Sequence, residues 1–319
     1  MKNLKLVVGV EDKTYFHWQL PILLESLRDQ LPPEWEVWVV QCSEWSASSK
    51  TLARIVEAYG CRLMHGRHPG GRIPIDFAGR GEYYPPLNRI EALRVAAQNV
   101  DDRDLVFLAE TDIFLFGALD PQVFPEGNAL QENWLVARSP FLTGREGDAR
   151  GIDLEQLLRA MGCARPFLPG GVSVFLDAPT LRNRKVVDDC FRFAQILYLA
   201  ARISGARKAW IAEMACYALS LHANEIAYEL LNSPAFSIQS ANALEIPEGS
   251  FYHYYFDPKD GGGSGAFAGD DWCKQDYYRR DFLAESTPEE LEARASATGT
   301  EHGRAFFRLA RRARERLYG

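Results

Sequence analysis

The sequence predicts an α/β fold in which helices flank a mostly parallel central sheet, with a helical tail at the C-terminus. Residues 5–10 and 36–41 are short runs rich in valine and have the length of buried strands. Between them, leucines recur at three- and four-residue spacing, which is typical of one face of a helix. Residues 48–59 and 61–64 repeat the order of helix and strand. This alternation indicates parallel strands joined by right-handed crossovers.

The later elements are predicted from the same patterns. Residues 90–100 have the spacing of a helix, and residues 104–108 that of a strand. The remaining predictions are strands at 134–137 and 172–176, helices at 181–203 and 210–231, and loops at 65–84 and 257–271, where glycine and proline are frequent. Because residues 288–318 form a separate helical pattern, we expect a main domain at 1–285 and a C-terminal helical extension at 286–319.

The composition excludes several classes of protein. The 319 residues are 47% hydrophobic and 25% charged, as in ordinary globular proteins, and a net charge of −7 gives no basic field for nucleic acid. The apolar runs are too short to span a bilayer, and the first residues lack the apolar core of a signal peptide, so we expect a cytoplasmic protein. Six cysteines without a Cys-x-x-Cys pair favour reduced, buried thiols over a zinc or redox site.

Glu110 and Asp112 are the first candidates for chemistry. They follow a predicted buried strand, and open α/β sheets bind ligands at the carboxyl ends of their strands. In an extended segment, side chains two residues apart point to the same side. Such carboxylates suit Mg²⁺ or Mn²⁺, which can bridge the phosphates of a nucleotide diphosphate. A turn or helix-cap role is the alternative interpretation.

His253 and Lys274 come from the last third of the chain. A neutral imidazole at His253 could supply a third metal ligand, although a lone histidine often has a structural role. Lys274 follows the glycine-rich segment 257–271, which has the composition of a lid, so its ammonium group could reach diphosphate oxygens after closure. A surface lysine is the alternative.

Asn88, Arg89 and Glu213 are further polar residues next to predicted helices. We expect Asn88 to cap the helix that follows it, and Arg89 to project from the first turn towards a diphosphate or nucleotide. Glu213 lies in an apolar helical segment, where an unpaired carboxylate is costly to bury. It therefore has a buried hydrogen-bonding partner, such as an arginine, or faces a sugar or an acceptor hydroxyl.

The C-terminal helical segment ends in a strongly basic stretch, which predicts either a solvated helix face or contact with a partner or acidic acceptor. Its arginines are Arg304, Arg308, Arg311, Arg312, Arg314 and Arg316.

Five sets of residues, in order along the chain, carry a family resemblance. The chain resembles the peptidyl hydroxyproline O-arabinosyltransferases and peptidyl serine α-galactosyltransferases over residues 4–278. The markers are Tyr84 with Pro86-Leu87-Asn88-Arg89, Glu110-Thr111-Asp112, Trp210 with Glu213-Met214, His253-Tyr254, and Trp272 with Lys274. The resemblance implies a GT-A fold and transfer of a sugar, with retention, from a nucleotide diphosphate sugar to a hydroxyl group.

The same resemblance implies roles for individual residues. Asp112 and His253 match the metal-binding aspartate and histidine, and Glu110 takes the first position of the Asp-x-Asp pattern. Asn88-Arg89 matches the family's Asn-Arg or Asn-Lys motif, Glu213-Met214 its Glu-Met pair, and Lys274 its late lysine. The resemblance therefore makes Asn88, Arg89, Glu110 and Lys274 candidates for donor binding, and Asp112 and Glu213 catalytic candidates. The implied cofactor is Mn²⁺ or Mg²⁺, and the implied donor is a nucleotide diphosphate sugar, with UDP favoured.

The chain also departs from the family pattern. Glu110 replaces the usual first aspartate, so its contact could be with the metal or only with water and ribose. Those relatives act in the secretory pathway, whereas this chain shows no targeting segment. The hydroxyl-bearing acceptor could therefore be a peptide, a glycan or a small molecule.

Three other functions compete with sugar transfer. A nicotinamide-dependent dehydrogenase requires a Gly-x-Gly-x-x-Gly turn after the first strand, and residues 8–12 lack it. A sugar nucleotidyltransferase would carry a glycine-rich, basic loop at the same place, and none is present. The third alternative is a catalytically degenerate protein of the same fold that binds a nucleotide or a carbohydrate.

Overall fold

The computed structural model describes residues 2–43, 47–67, 72–76, 81–132, 159, 170–204, 212–231, 233–236, 247–254, 272 and 274–319. The strands are β1 (Asn3–Val10), β2 (Glu36–Cys42), β3 (Arg62–Gly66), β4 (Arg72–Asp76), β5 (Gly81–Tyr83), β6 (Asp104–Ala109), β7 (Ile113–Phe116), β8 (Ala129–Glu132), β9 (Gly170–Asp177), β10 (Glu229–Leu231) and β11 (Ser250–His253). The helices are α1 (Thr14–Leu27), α2 (Lys50–Ala58), α3 (Leu87–Ala97), α4 (Ala178–Arg182), α5 (Arg184–Ser204), α6 (Ala212–Ala223), α7 (Phe282–Glu285), α8 (Pro288–Ala297) and α9 (Glu301–Tyr318).

Seven strands form the central sheet, in the order β10-β8-β9-β6-β1-β2-β3. The strands β3, β2, β1 and β6 are parallel neighbours, whereas β9 runs antiparallel to both β6 and β8. The predicted, mostly parallel sheet is therefore confirmed. The carboxyl ends of β1 and β6 meet at one edge, where the candidate residues lie.

Helices cover both faces of the sheet, so its central strands are buried on both sides. Alternate residues of β1 and β6, such as Val7 and Leu108, pack into a core with α3, α5 and α6. Their neighbours, such as Val8 and Phe107, pack on the other side with α1 and α2. Burial on both faces explains why these strands read as continuous apolar runs in the sequence.

An aromatic cluster joins the C-terminal helices to the main sheet. Trp18 of α1, Phe114 of β7, Trp272 and Phe306 of α9 are all buried in it. The predicted helical tail is present as α8 and α9, and α9 packs on α1 and α2. The division of the chain at residue 285 stays a prediction.

Most arginines of α9 contact groups within the chain. Two of them approach the buried carboxylate of Glu25, and the others contact Glu292 or the backbone carbonyls of Ser286 and Thr298. These arginines are Arg304, Arg311, Arg312, Arg314 and Arg316. They therefore fix α9 to its surroundings, while Arg308, Arg312 and Arg316 are exposed, as the interpretation of a solvated helix face predicts.

Three sequence predictions need correction. The predicted loop 65–84 includes the end of β3 and the antiparallel strands β4 and β5, whose ladder is irregular between Ile73 and Asp76, on either side of Pro74. A ribbon tolerates proline where the ladder is interrupted. The predicted helix 210–231 ends at Ala223, because Glu225 adopts a left-handed conformation with φ of 59°, and residues 229–231 form β10. Asn88 does not cap α3, as described below.

Other predictions are confirmed or lie outside the described residues. The strand at 172–176 is part of β9, and the helix at 181–203 forms as α4 and α5 with a break at Asn183. The strand predicted at 134–137 and the lid-like segment 257–271 lie outside the described residues. Cys42, Cys190 and Cys216 are buried free thiols, as predicted. Among the described helices, none is both long and apolar enough to cross a bilayer.

Candidate active site

Glu110 and Asp112 occupy a turn at the carboxyl end of β6, in the middle of the sheet. The turn leads directly into β7, and the Thr111 hydroxyl anchors it by donating a hydrogen bond of 2.9 Å to Gln19 of α1. A turn was the alternative to the extended segment in the interpretation of the sequence. Both side chains nevertheless converge with that of His253. One carboxylate oxygen of Glu110, one of Asp112 and one imidazole nitrogen of His253 all lie within 4.8 Å of one another.

Strand pairing brings His253 to these carboxylates from the distant part of the chain. β11 runs antiparallel to β7 with His253 opposite Ile113, and the Tyr254 N–H donates 3.1 Å to the Asp112 carbonyl. The buried His253 Nε2 lies 3.0 Å from Asp112 Oδ2 and 3.4 Å from Glu110 Oε2. The predicted cluster of two carboxylates and one imidazole therefore exists in the fold.

Lys274 adds a buried positive charge to the cluster. It opens the 3₁₀ turn Lys274–Tyr277, and its ammonium group forms an ion pair with Asp112 Oδ2. The ammonium also lies 5.6 Å from the ring of Tyr15. Burial alone would raise the pKa of Asp112, but the charges of His253 and Lys274 outweigh burial and hold that pKa below its usual range. Asp112 is therefore an anion at neutral pH.

The chemistry of the cluster fits a divalent cation. Two carboxylates and an imidazole form a ligand set that suits Mn²⁺, and the hard oxygen ligands also suit Mg²⁺. Glu110 Oε2 is buried and accepts no hydrogen bond from the residues that the structure describes. Its neighbour in the cluster is His253 Nε2 at 3.4 Å, so a divalent cation between the two groups would have an oxygen and a nitrogen ligand.

Arg89 and Glu213 form a second buried layer behind Glu110. Arg89 Nη1 lies 3.2 Å from Glu110 Oε1 and 3.2 Å from Glu213 Oε1. Glu213 lies in the first turn of α6, and it also accepts a hydrogen bond from the Tyr217 hydroxyl. Burial raises the pKa of Glu213 to about 7. Of the two alternatives for Glu213, a buried partner or a position facing the sugar or acceptor, the structure shows the partner, in Arg89 and Tyr217, and the second stays a prediction.

Asn88 has a different role from the cap that the sequence predicted. Helix α3 begins at Leu87, so Asn88 lies inside its first turn, and the side-chain amide donates 2.8 Å to Glu11 Oε1. Glu11 follows β1, and its other oxygen forms an ion pair with Lys13. A buried carboxylate holds Asn88 at the edge of the sheet, and its donor-binding role stays a prediction.

Sequence reasoning missed three residues of this region. Tyr217 contacts Glu213 from four residues further along α6, which is one helical turn. Glu11 directly follows the first strand, a position where an acidic residue should have been considered. Tyr15 next to Lys274 carried no such signal. Trp210, one of the family markers, lies outside the described residues.

Comparison with solved structures assigns the fold. The structure superimposes on the galactosyltransferase LgtC, solved in complex with donor and acceptor sugar analogues, with a TM-score of 0.51 and 13% identity over 91% of this chain and 99% of that chain. The chain therefore has the GT-A fold that the resemblance implied.

Two further structures are less similar. The bifunctional glycosyltransferase WbbM gives a TM-score of 0.49 at 12% identity, over 88% of this chain and 52% of that chain. Mouse xyloside xylosyltransferase 1 gives 0.43 at 10% identity, over 78% and 96%. No protein-family model and no curated protein matches the sequence.

Proposed function

We propose that the chain is a metal-dependent glycosyltransferase that moves a sugar from a nucleotide diphosphate sugar, with UDP favoured, to a hydroxyl acceptor. One observation carries the proposal: Glu110, Asp112 and His253 converge at the carboxyl end of β6 in a GT-A fold. Ligands of open α/β sheets bind at that edge. The sequence resemblance further implies retention at the anomeric carbon, and the acceptor stays a peptide, a glycan or a small molecule.

The proposal gives each charged group a task. Asp112, His253 and Glu110 would hold Mn²⁺ or Mg²⁺, which when bound supplies positive charge to the diphosphate leaving group. The buried ammonium of Lys274 adds a fixed positive charge at the same place, where low dielectric strengthens its effect. Asp112 keeps its negative charge because its pKa is held low. Glu213 stays the predicted catalytic carboxylate, close to the cluster through Arg89.

The first experiment is a thermal-shift screen against UDP-, GDP-, ADP- and TDP-sugars, each with Mn²⁺ and with EDTA. A ligand at a hundred times its dissociation constant adds about 2.7 kcal/mol to the free energy of unfolding. We expect one nucleotide sugar to raise the melting temperature only in the presence of Mn²⁺. Asp112→Asn and His253→Ala should abolish that shift, whereas Asp102→Asn, at an exposed aspartate paired with Arg182, should not.

The alternative is a degenerate protein that binds a nucleotide or a carbohydrate without turnover. It is favoured by the ion pair between Lys274 and Asp112, because an ammonium group already neutralises a candidate metal ligand. Such a protein would bind a nucleotide equally well in EDTA. Metal-independent binding, together with unchanged donor after prolonged incubation, would replace the transferase proposal by this one.

A further inference from the structure

The two oxygens of Glu110 face different charges. Oε1 lies 3.2 Å from Arg89 Nη1, whereas the buried Oε2 lies 3.4 Å from His253 Nε2. Within the described part of the chain, Oε2 accepts no hydrogen bond. One oxygen is therefore bound to a guanidinium group, and the other is turned towards the candidate metal ligands.

Arg89 is itself fixed from several directions. Its Nη1 also contacts Glu213 Oε1 at 3.2 Å, and its Nη2 lies 3.5 Å from the carbonyl oxygen of Leu108. Leu108 belongs to β6, two residues before Glu110. The guanidinium group is thus anchored to the same strand end that carries the carboxylate it contacts.

The backbone around Arg89 allows little movement. A Cβ atom at Gly9 would lie 2.5 Å from the carbonyl oxygen of Asn88, so the glycine lets the first turn of α3 lie directly on β1. On the other side, Glu213 is held by the Tyr217 hydroxyl and by the N–H of its own backbone, which donates 2.8 Å to the Tyr84 hydroxyl. Arg89 and its second carboxylate partner, Glu213, are therefore rigidly placed.

We propose that Arg89 is a positioning residue, which binds Glu110 through Oε1 and so presents Oε2 alone to the divalent cation. The inference rests on the proposed metal site and deepens it. It differs from the sequence prediction that Arg89 contacts the diphosphate or nucleotide directly.

The direction of the effect of removing Arg89 separates these roles. If charge alone mattered, loss of a cation 3.2 Å from Glu110 would strengthen Mn²⁺ binding. Loss of the group that orients a ligand weakens metal affinity, commonly by about 10- to 100-fold. If Arg89 were only a diphosphate ligand, Mn²⁺ affinity in the absence of nucleotide would stay the same or rise, and only nucleotide affinity would fall.

The experiment measures Mn²⁺ binding by electron paramagnetic resonance of the free ion, without any donor. The proteins are wild type, Arg89→Met, Arg89→Lys and the control Arg192→Met, which removes an arginine paired with Asp189 on α5. We expect about tenfold weaker binding in Arg89→Met, partial recovery in Arg89→Lys, and no change in the control. Equal or tighter binding in Arg89→Met overturns the inference.

A second variant tests the inference in case Arg89→Met fails to fold. Arg89→Met leaves Glu213 buried without its arginine, so Arg89→Met/Glu213→Gln removes both charges of the pair together. This double variant should bind Mn²⁺ as weakly as Arg89→Met does. If it bound Mn²⁺ with wild-type affinity, a positioning role for Arg89 would again be contradicted. If wild type itself binds no Mn²⁺, the metal site fails, and with it the proposed function as well as this inference. An intact wild-type site with an unaffected Arg89→Met variant refutes only the positioning role.

Discussion

Replacing Glu25 should destabilise the protein more than any exposed acidic residue that pairs with α9. The Glu25 carboxylate is only 1% exposed and lies 3.1 Å from Arg28 Nε, 3.1 Å from Arg316 Nε and 3.6 Å from Arg312 Nε. In Glu25→Ala, the arginines lose their common partner and α9 loses its main ionic contact with α1.

The size of the effect follows from the exposure of the partners. Breaking a fully buried ion pair costs about 3–5 kcal/mol, but the three arginines are 32–51% exposed and can regain water. We therefore expect Glu25→Ala to lower the free energy of unfolding by about 2–3 kcal/mol, which lies between the cost of breaking a fully buried ion pair and the cost, at most about 1 kcal/mol, of losing a surface pair. At about 2 °C per kcal/mol, the melting temperature should fall by about 4–6 °C.

The matched control is Glu292→Ala. Glu292 also pairs with an arginine of α9, at 3.0 Å from Arg311 Nη1, but its side chain is 49% exposed. Its removal should cost at most about 0.5 kcal/mol, and 0.5 M NaCl should abolish that cost while leaving most of the Glu25 effect. Urea denaturation at both salt concentrations makes the comparison. Equal losses in the two variants would refute the reasoning that burial makes the Glu25 contact strong.

Three further predictions concern backbone fit, pH and metal. Gly171→Ala should lower the free energy of unfolding by about 3 kcal/mol or more, because φ of Gly171 is +139° and a Cβ atom there would lie 1.9 Å from a carbonyl oxygen of α6. Urea titration measures the loss, and the control Gly127→Ala, whose added Cβ atom lies in open space, should be neutral in the same titration. Burial lowers the pKa of His302 to about 4, so between pH 4 and 6.5 the unfolded state binds more protons than the folded state. The free energy of unfolding should therefore be unaffected by His302 above pH 6.5 and fall by up to about 3 kcal/mol as the pH drops to 4. His302→Phe should flatten this part of the stability profile, and an unchanged profile would show that another group titrates there. Lys274→Met removes the internal cation that pairs with Asp112, so Mn²⁺ should raise the melting temperature more in this variant than in wild type. An equal rise in the two proteins would argue against competition between the ammonium group and the metal.

The sequence was informative where one local pattern determined the structure. The apolar run before Glu110 predicted both a buried central strand and a polar cluster at its end, because parallel sheets bury their strands and expose their carboxyl ends. His253 was predicted by residue type and by family resemblance, and the pairing of β11 with β7 shows how it reaches the carboxylates.

The sequence was less informative where a distant partner decided the role of a residue. Asn88 has the residue type of a helix cap, but Glu11, 77 positions earlier, binds its side chain inside the helix. The arginines of α9 resemble a solvated face, and the decisive group is Glu25, which carries no local signal for burial in its helix. Tertiary contacts of this kind override local preferences.

The pairing of β7 with β11 also sets when the site can first exist during synthesis. Asp112 leaves the ribosome long before His253, and at about 5–20 residues per second the intervening stretch takes about 7–28 s to make. Through that interval the nascent chain carries both carboxylates but neither the imidazole nor Lys274, so it has no complete ligand set and no internal counter-charge for Asp112. A growing chain therefore carries the two carboxylates without their partners, and the cluster of Glu110, Asp112 and His253 forms only when the segment that contains β11 docks on β7.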